Sequence, residues 1–352
     1  PGRRSERTLW AARSSILPSF LDMLRTRRSV LPLCLLALVP ALLFVGLCCG
    51  SVPISMGDVV TALLGGETTE STRVIVTDFR LPRLFTALLV GGGLGVCGLI
   101  TQTLFENPLA DPSLFGIHAG AAVGAAIGPL LWSLIVAMGQ TRFPPFAGQW
   151  FNVFTALCGA LGVLAVIVLL ARSACRGMSL LVAGVMISFL LSSVLALIAY
   201  YSTADGLRSF QLWTMGDFST VGRARLPLFA LALGLPLGYC LRRHAVTLGV
   251  SPRKSRSRLL FAVGWISACT TAFCGPIAFI GLAAPHLARL LCGTSLHRYV
   301  LPTTLGVGAV LTLSCQLLCS LPFTGGNLPL NAVTPLIGAP IVLWLLTRQS
   351  TP

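Results

Sequence analysis

Residues 82–128 read PRLFTALLVGGGLGVCGLITQTLFENPLADPSLFGIHAGAAVGAAIG. Two long apolar stretches flank a short polar break, ENPLADP, at 106–112. About 20 consecutive apolar residues cross a bilayer as a helix, and lipid tolerates only structures that satisfy their own backbone. Glycines 116, 120, 124 and 128 recur every four residues and so line one helix face. In lipid, small residues at that spacing let helices approach closely. The stretch therefore reads as two membrane helices joined by a broken turn.

The same pattern extends along the chain. Apolar runs bounded by charge and Gly/Pro clusters fall near 30–49, 82–105, 114–137, 151–171, 178–201, 224–241, 259–280, 281–293, 299–319 and 330–347. The run at 281–293 is too short to cross alone unless a neighbour supplies length or the helix is broken. The 352 residues are 55% hydrophobic and only 10% charged, with a mean hydropathy of +0.86. Soluble domains carry roughly 25% charged residues, which excludes a soluble globular enzyme, and the hydrophobicity excludes a disordered chain. The expected fold is an all-α polytopic membrane protein of about ten transmembrane helices. It divides into a basic segment at 1–29, one transmembrane domain at 30–348 and a tail at 349–352.

The net charge of +15 lies mostly between the apolar runs, which marks it as a topology signal and not a nucleic-acid surface. With both termini in the cytoplasm, 18 of the 25 Lys and Arg residues fall inside, seven of them before residue 29. The cysteines sit mainly within apolar runs with no metal spacing, as small buried residues do. No GxxxxGK[ST] motif is present, so the chain holds no nucleotide by that route. No Asp or Glu follows Asp217, which leaves little support for a carboxylate proton relay or an acidic channel ring. A stand-alone secondary transporter or channel for a small solute is the alternative reading, and it lacks those carboxylates. The driving energy points to a partner subunit.

Four linked stretches narrow the class. They are Arg80-Leu81-Pro82-Arg83; QTLFENPLADP (102–112) with its small-residue helix; LWTMGDF (212–218); and GPIAFIGLAAPHLARLL (275–291) with NLPLNAVTPLIGAPIVLWLL (327–346). In this order and spacing the chain resembles the FecCD-like permease subunits of bacterial ABC importers for iron-siderophores, haem and cobalamin, over residues 30–348. The resemblance implies a ten-helix, type II importer permease in the inner membrane, performing no bond chemistry and holding no cofactor. It also implies a second permease copy in a homodimer, with the path at the dimer axis. Two cytoplasmic ATPase subunits would bind ATP and Mg, and a periplasmic binding protein would deliver substrate.

Candidate site residues follow from the same motifs. Arg80 and Arg83 lie on the outer face, where they either snorkel to lipid headgroups or, as the resemblance implies, dock carboxylates of the binding protein. Arg223 and Arg225 are further outer cations available for that docking. Asn107 and Leu109, around Pro108, form a helix turn or the family's inner gate. Ser188, Ser192 and Ser193 either bond back to their own helix or line the path. His286 belongs to the family's APH motif and reads as structural, and His118 is a weak candidate haem ligand. The cytoplasmic segment 242–258, RRHAVTLGVSPRKSRSR, matches the family's ATPase-coupling element at Ala245, Leu248 and Gly249. It is about a dozen residues short and carries Arg in place of the usual Glu. Arg253 and Arg256 in its basic tail are expected to touch the ATPase, bind anionic headgroups or serve topology alone. LFENPLA leans towards the cobalamin type.

Overall fold

The computed structural model describes residues 34–35, 37–139, 144, 147–172, 178–246, 252–321 and 328–349. Among the described residues each of the ten apolar runs overlaps one apolar helix. Six are long enough to cross a bilayer: Glu70–Leu104, Ile117–Met138, Ala147–Arg172, Met178–Tyr201, Arg256–Cys274 and His297–Ser320. Four are shorter: Ala37–Cys48, Leu226–Arg242, Ile280–Cys292 and Leu330–Leu343. In chain order the helices are α1 (Ala37–Cys48), α2 (Met56–Leu64), α3 (Glu70–Val74) and α4 (Leu81–Leu104). They continue with α5 (Ile117–Gly139), α6 (Ala147–Arg172), α7 (Met178–Tyr201), α8 (Ala204–Thr214) and α9 (Leu226–Val246). The last four are α10 (Pro252–Cys274), α11 (Ile280–Cys292), α12 (His297–Ser320) and α13 (Leu330–Gln349).

α4 is the central post, packed against α9, α10, α11 and α12, with 83% of its most apolar window buried. Its glycines make this possible. A Cβ at Gly91 would strike the Gly308 carbonyl of α12, and one at Gly98 would strike the Gly281 backbone of α11. The four-residue glycine repeat does the same for α5. Gly120 lies against the Gly159 carbonyl and Gly124 against the Thr155 carbonyl, both on α6. Close backbone approach and dispersion, rather than burial from water, hold helices together in lipid.

The short eleventh helix is explained by a break. α10 ends at Cys274, and Gly275–Phe279 carries the chain back without helix, with Gly275 (φ 78°) and Phe279 (φ 69°) both left-handed. Gly275 sits against the Trp213 carbonyl and Phe279 against Gly338 of α13. Irregular backbone at this depth is tolerated where protein covers it. α11 then begins beside Gly98, six residues before the end of α4, and needs only its 13 residues to reach the far end.

Segment 242–258 is more helical than a loop. α9 continues to Val246 and α10 starts at Pro252. The side chains of Ala245 and Arg253, and all of Leu248 and Gly249, lie outside the described residues, as do the segments 1–29 and 350–352.

Candidate translocation path and its two rims

One end of the bundle gathers the sequence's outer arginines. A π-helical stretch, Ile75–Arg80, joins α3 to α4 and widens the turn that presents Arg80. Arg80 is half-buried and turned inward, donating from Nη1 to the carbonyls of Leu47 (2.6 Å) and Cys48 (3.0 Å) and from Nη2 to that of Val52. Those carbonyls belong to the end of α1 and the turn after it, which have no helical partners of their own. Neither headgroup nor binding protein is needed to occupy this guanidinium: its donors cap a neighbouring helix, a role that sequence reading missed.

Arg83, one turn further on, reaches Asp217 at 3.3 Å. Asp217 is itself built in. It accepts from the Ser219 N–H at 2.9 Å and from the Ser219 hydroxyl, and its own N–H donates to the Cys274 carbonyl at 2.9 Å. Arg223 pairs with Asp78 at 3.0 Å, with 72% of its side chain exposed. Arg225 stacks over Trp150 at 4.7 Å and donates to Gln149 at 2.9 Å and to the Thr220 carbonyl at 3.1 Å. Burial there pulls its pKa below the ordinary arginine value, though arginine stays protonated in proteins. Of the four cations at this rim Arg83 and Arg223 are paired with carboxylates, and Arg223 is the most exposed member of the two pairs.

At the other end, α4 terminates in the turn quoted at the outset. Glu106 adopts φ 50°, and Asn107 Oδ1 accepts the Leu109 N–H at 2.9 Å, closing a local turn around Pro108. Leu109 is left 45% exposed. The chain then turns back into the bundle. Asp111 caps a short 3₁₀ helix, Pro112–Phe115, through the Ser113 N–H at 2.8 Å. Gly116, at φ 76°, lies against the Gly184 carbonyl and the Ser188 Oγ of α7. The segment that follows the Asn107–Leu109 turn therefore meets α7 at Gly184 and Ser188.

α7 is the least covered of the long helices, with 11% of its window buried. Ser188 donates to the Gly184 carbonyl at 2.9 Å and Ser193 to that of Phe189 at 3.1 Å, so both bond back as helical serines can. Each hydroxyl keeps acceptor capacity. Ser192 is exposed. The face offers small, weakly polar contacts to whatever passes or packs against it.

Behind the inner turn, Phe105 is buried against Phe115 (5.4 Å between centroids), and the Arg256 guanidinium sits 5.4 Å from the Phe105 ring. Gln102 accepts from Arg289. His286 Nδ1 lies 2.8 Å from the Leu282 carbonyl, a bond within α11 that fits a structural histidine. His118 meets Ser267 at 3.3 Å. Among the described residues no three of His, Cys, Asp and Glu converge on a point that could hold a metal.

The comparisons agree with this geometry. The model of the FecCD transport family matches residues 36–348. The vitamin B12 import system permease protein BtuC of Klebsiella pneumoniae is 35% identical over 350 residues, covering 96% of this chain and 98% of that protein. Its counterpart from Shigella boydii is 35% identical over 330 residues, covering 90% and 94%. A solved chain, assigned to the metal-chelate type of ABC transporter in an inward-facing conformation, superposes with a TM-score of 0.72. It is 27% identical and covers 90% of this chain and 98% of its own. A multi-pass helical chain matched from end to end in this way is the permease subunit of an ABC importer, its ATPase a separate subunit, and it belongs to the FecCD transport family.

Proposed function

We propose that this permease moves a corrinoid of the cobalamin class across the bacterial inner membrane, as a homodimer driven by two ATPase subunits and fed by a periplasmic binding protein. The observation that carries the path is the packing of Gly116, which closes the segment begun at Asn107, against Gly184 and Ser188 of the serine-bearing α7. A weakly polar wall ends there on a capped, glycine-hinged plug at one end of the bundle. Two copies facing each other across α7 would enclose a channel wide enough for a large chelate and closed at that end by Asn107 and Leu109. The positive-inside asymmetry puts this end, with both termini, in the cytoplasm. The ATPase then meets Ala245, Leu248, Gly249, Arg253 and Arg256 of the segment 242–258, and the binding protein meets the Arg83 and Arg223 rim. The cobalamin class is supported by the relatives from Klebsiella and Shigella.

A second reading, a ferric siderophore or haem, is supported by the structural neighbour of metal-chelate type. Uptake of radiolabelled cyanocobalamin, a ferric hydroxamate and haemin into vesicles carrying the full transporter separates the two. Cobalamin accumulating at least about tenfold above either iron ligand is the expected result. A preference for an iron ligand would replace the first reading with the second.

A further inference from the structure

A cavity lies in the angle between α6, α9 and α10. It encloses about 790 Å³, within the roughly 300–1,000 Å³ usual for ligand sites. Its walls come from α9 (Leu228, Leu231, Leu235) and α10 (Phe261, Trp265), and Leu231 and Leu235 are 58% and 68% exposed into it. Lining residues on α9 run from Leu228 to Tyr239, about 16 Å of helix.

The groove owes its chemistry to one proline. Pro236 lies inside α9 and has no N–H, so the carbonyl four residues back, on Ala232, loses its helical donor. The Trp265 indole supplies the replacement, its Nε1–H donating to the Ala232 carbonyl at 3.1 Å. The exchange satisfies the freed carbonyl and turns the indole ring into wall. The middle of the groove then offers hydrocarbon contact and little to a polar ligand.

The end formed by the close of α6 and the start of α10 is the opposite in character. Arg172 and Arg258 line it together with Ser257, and Arg172 Nε reaches the Ser257 hydroxyl at 3.5 Å. Among the described residues neither arginine forms an ion pair. Two unneutralised guanidiniums at the head of a long apolar trough match one class of molecule, an anion with a hydrocarbon tail.

We infer that this groove is a binding site for an anionic phospholipid, its phosphate held by Arg172, Ser257 and Arg258 and one acyl chain laid along Leu235, Leu231 and Trp265. Anionic lipid headgroups are drawn to basic pockets between helices on the cytoplasmic side. That side follows from the orientation proposed above, whereas binding measured in detergent does not depend on it. A failed transport assay therefore leaves this site standing, and a failed lipid assay leaves the transport reading standing.

The test is native mass spectrometry of the delipidated full chain titrated with dioleoyl phosphatidylglycerol and, separately, with dioleoyl phosphatidylcholine. The acyl chains are identical, so only the headgroup is read. The expected result is a phosphatidylglycerol occupancy at least about tenfold above phosphatidylcholine, with the preference removed in Arg172→Gln/Arg258→Gln. Leu235→Trp places bulk on an exposed position without disturbing the fold. It should lower binding of both lipids several-fold while the unfolding temperature in detergent is unchanged. Equal binding of the two lipids by the wild type would overturn the assignment, as would a double variant that keeps the preference. Displacement of the lipid by millimolar glycerol 3-phosphate would also overturn it, by showing an anion site with no use for the tail.

Discussion

Gly98→Ala is expected to lower the unfolding temperature and the yield of the permease sharply. The added Cβ would land on the carbonyl oxygen, carbonyl carbon and Cα of Gly281, all of them backbone, with no flexible side chain to yield. α4 and α11 must move apart, and Gly281 also lies against Asp111 and Pro112, so the shift reaches the inner turn. Overpacking a closed core costs about 1–3 kcal/mol and sometimes more. That is a large fraction of the roughly 5–15 kcal/mol by which folded proteins are stable. Gly162 is the matched control: it lies in α6 and a Cβ there meets nothing within 4 Å. Gly162→Ala should be neutral or gain up to about 1 kcal/mol from helix propensity. The monodisperse yield and the unfolding temperature of the two variants in the same detergent check the contrast. A Gly98→Ala protein as stable as Gly162→Ala would show that α4 and α11 do not meet as described.

The second large effect concerns the outer rim. Arg83→Glu should cut uptake about 10- to 100-fold while basal ATP hydrolysis by the assembled complex persists, because like charges facing across an interface cost several kcal/mol and slow encounter. The same variant also sets two carboxylates against each other at Asp217, which now holds Arg83 at 3.3 Å. The exchange Arg83→Glu/Asp217→Arg separates the two consequences. It restores an internal pair of opposite charges but loses the acceptor for the Ser219 N–H, so stability should recover only in part. It leaves the position that faces the binding protein inverted, so uptake stays low. Full recovery of uptake in the exchange variant would assign Arg83 to the internal pair alone. Arg80 is left out of this test because its donors are spent on the Leu47, Cys48 and Val52 carbonyls, and replacing it would unsettle the end of α1.

These two sites also mark how far the sequence could be read. The apolar runs and their punctuation are local signals, and among the described residues each run overlaps an apolar helix, six of them long enough to cross a bilayer. The four-residue glycine spacing in α5 was equally legible, because one face of one helix decides it, and the partner it fits on α6 is similarly small. The break at Asn107-Pro108 could be located, and its cap, Asn107 onto the Leu109 N–H, involves residues two apart. Contacts between distant segments were not legible. Nothing in Arg80-Leu81-Pro82-Arg83 says that one arginine faces the carbonyls of α1 and the other an aspartate 134 residues away. The LWTMGDF motif held Asp217 in view without indicating what it pairs with. The return of Gly275–Phe279 depends on two left-handed residues, of which only the glycine advertises itself. The lipid groove rests on Pro236 and Trp265, unremarkable in sequence until α9 and α10 bring them within one hydrogen bond.

The central claim is that the chain is a passive path driven by a separate ATPase. The most direct measurement is substrate accumulation in proteoliposomes containing the permease, tested with and without its ATPase, binding protein and internal ATP, and under an imposed proton or sodium gradient. The account predicts accumulation when ATPase, binding protein and ATP are all present, and none from the permease with an ion gradient alone. Accumulation by the permease alone, rising with the gradient and indifferent to ATP, would contradict it.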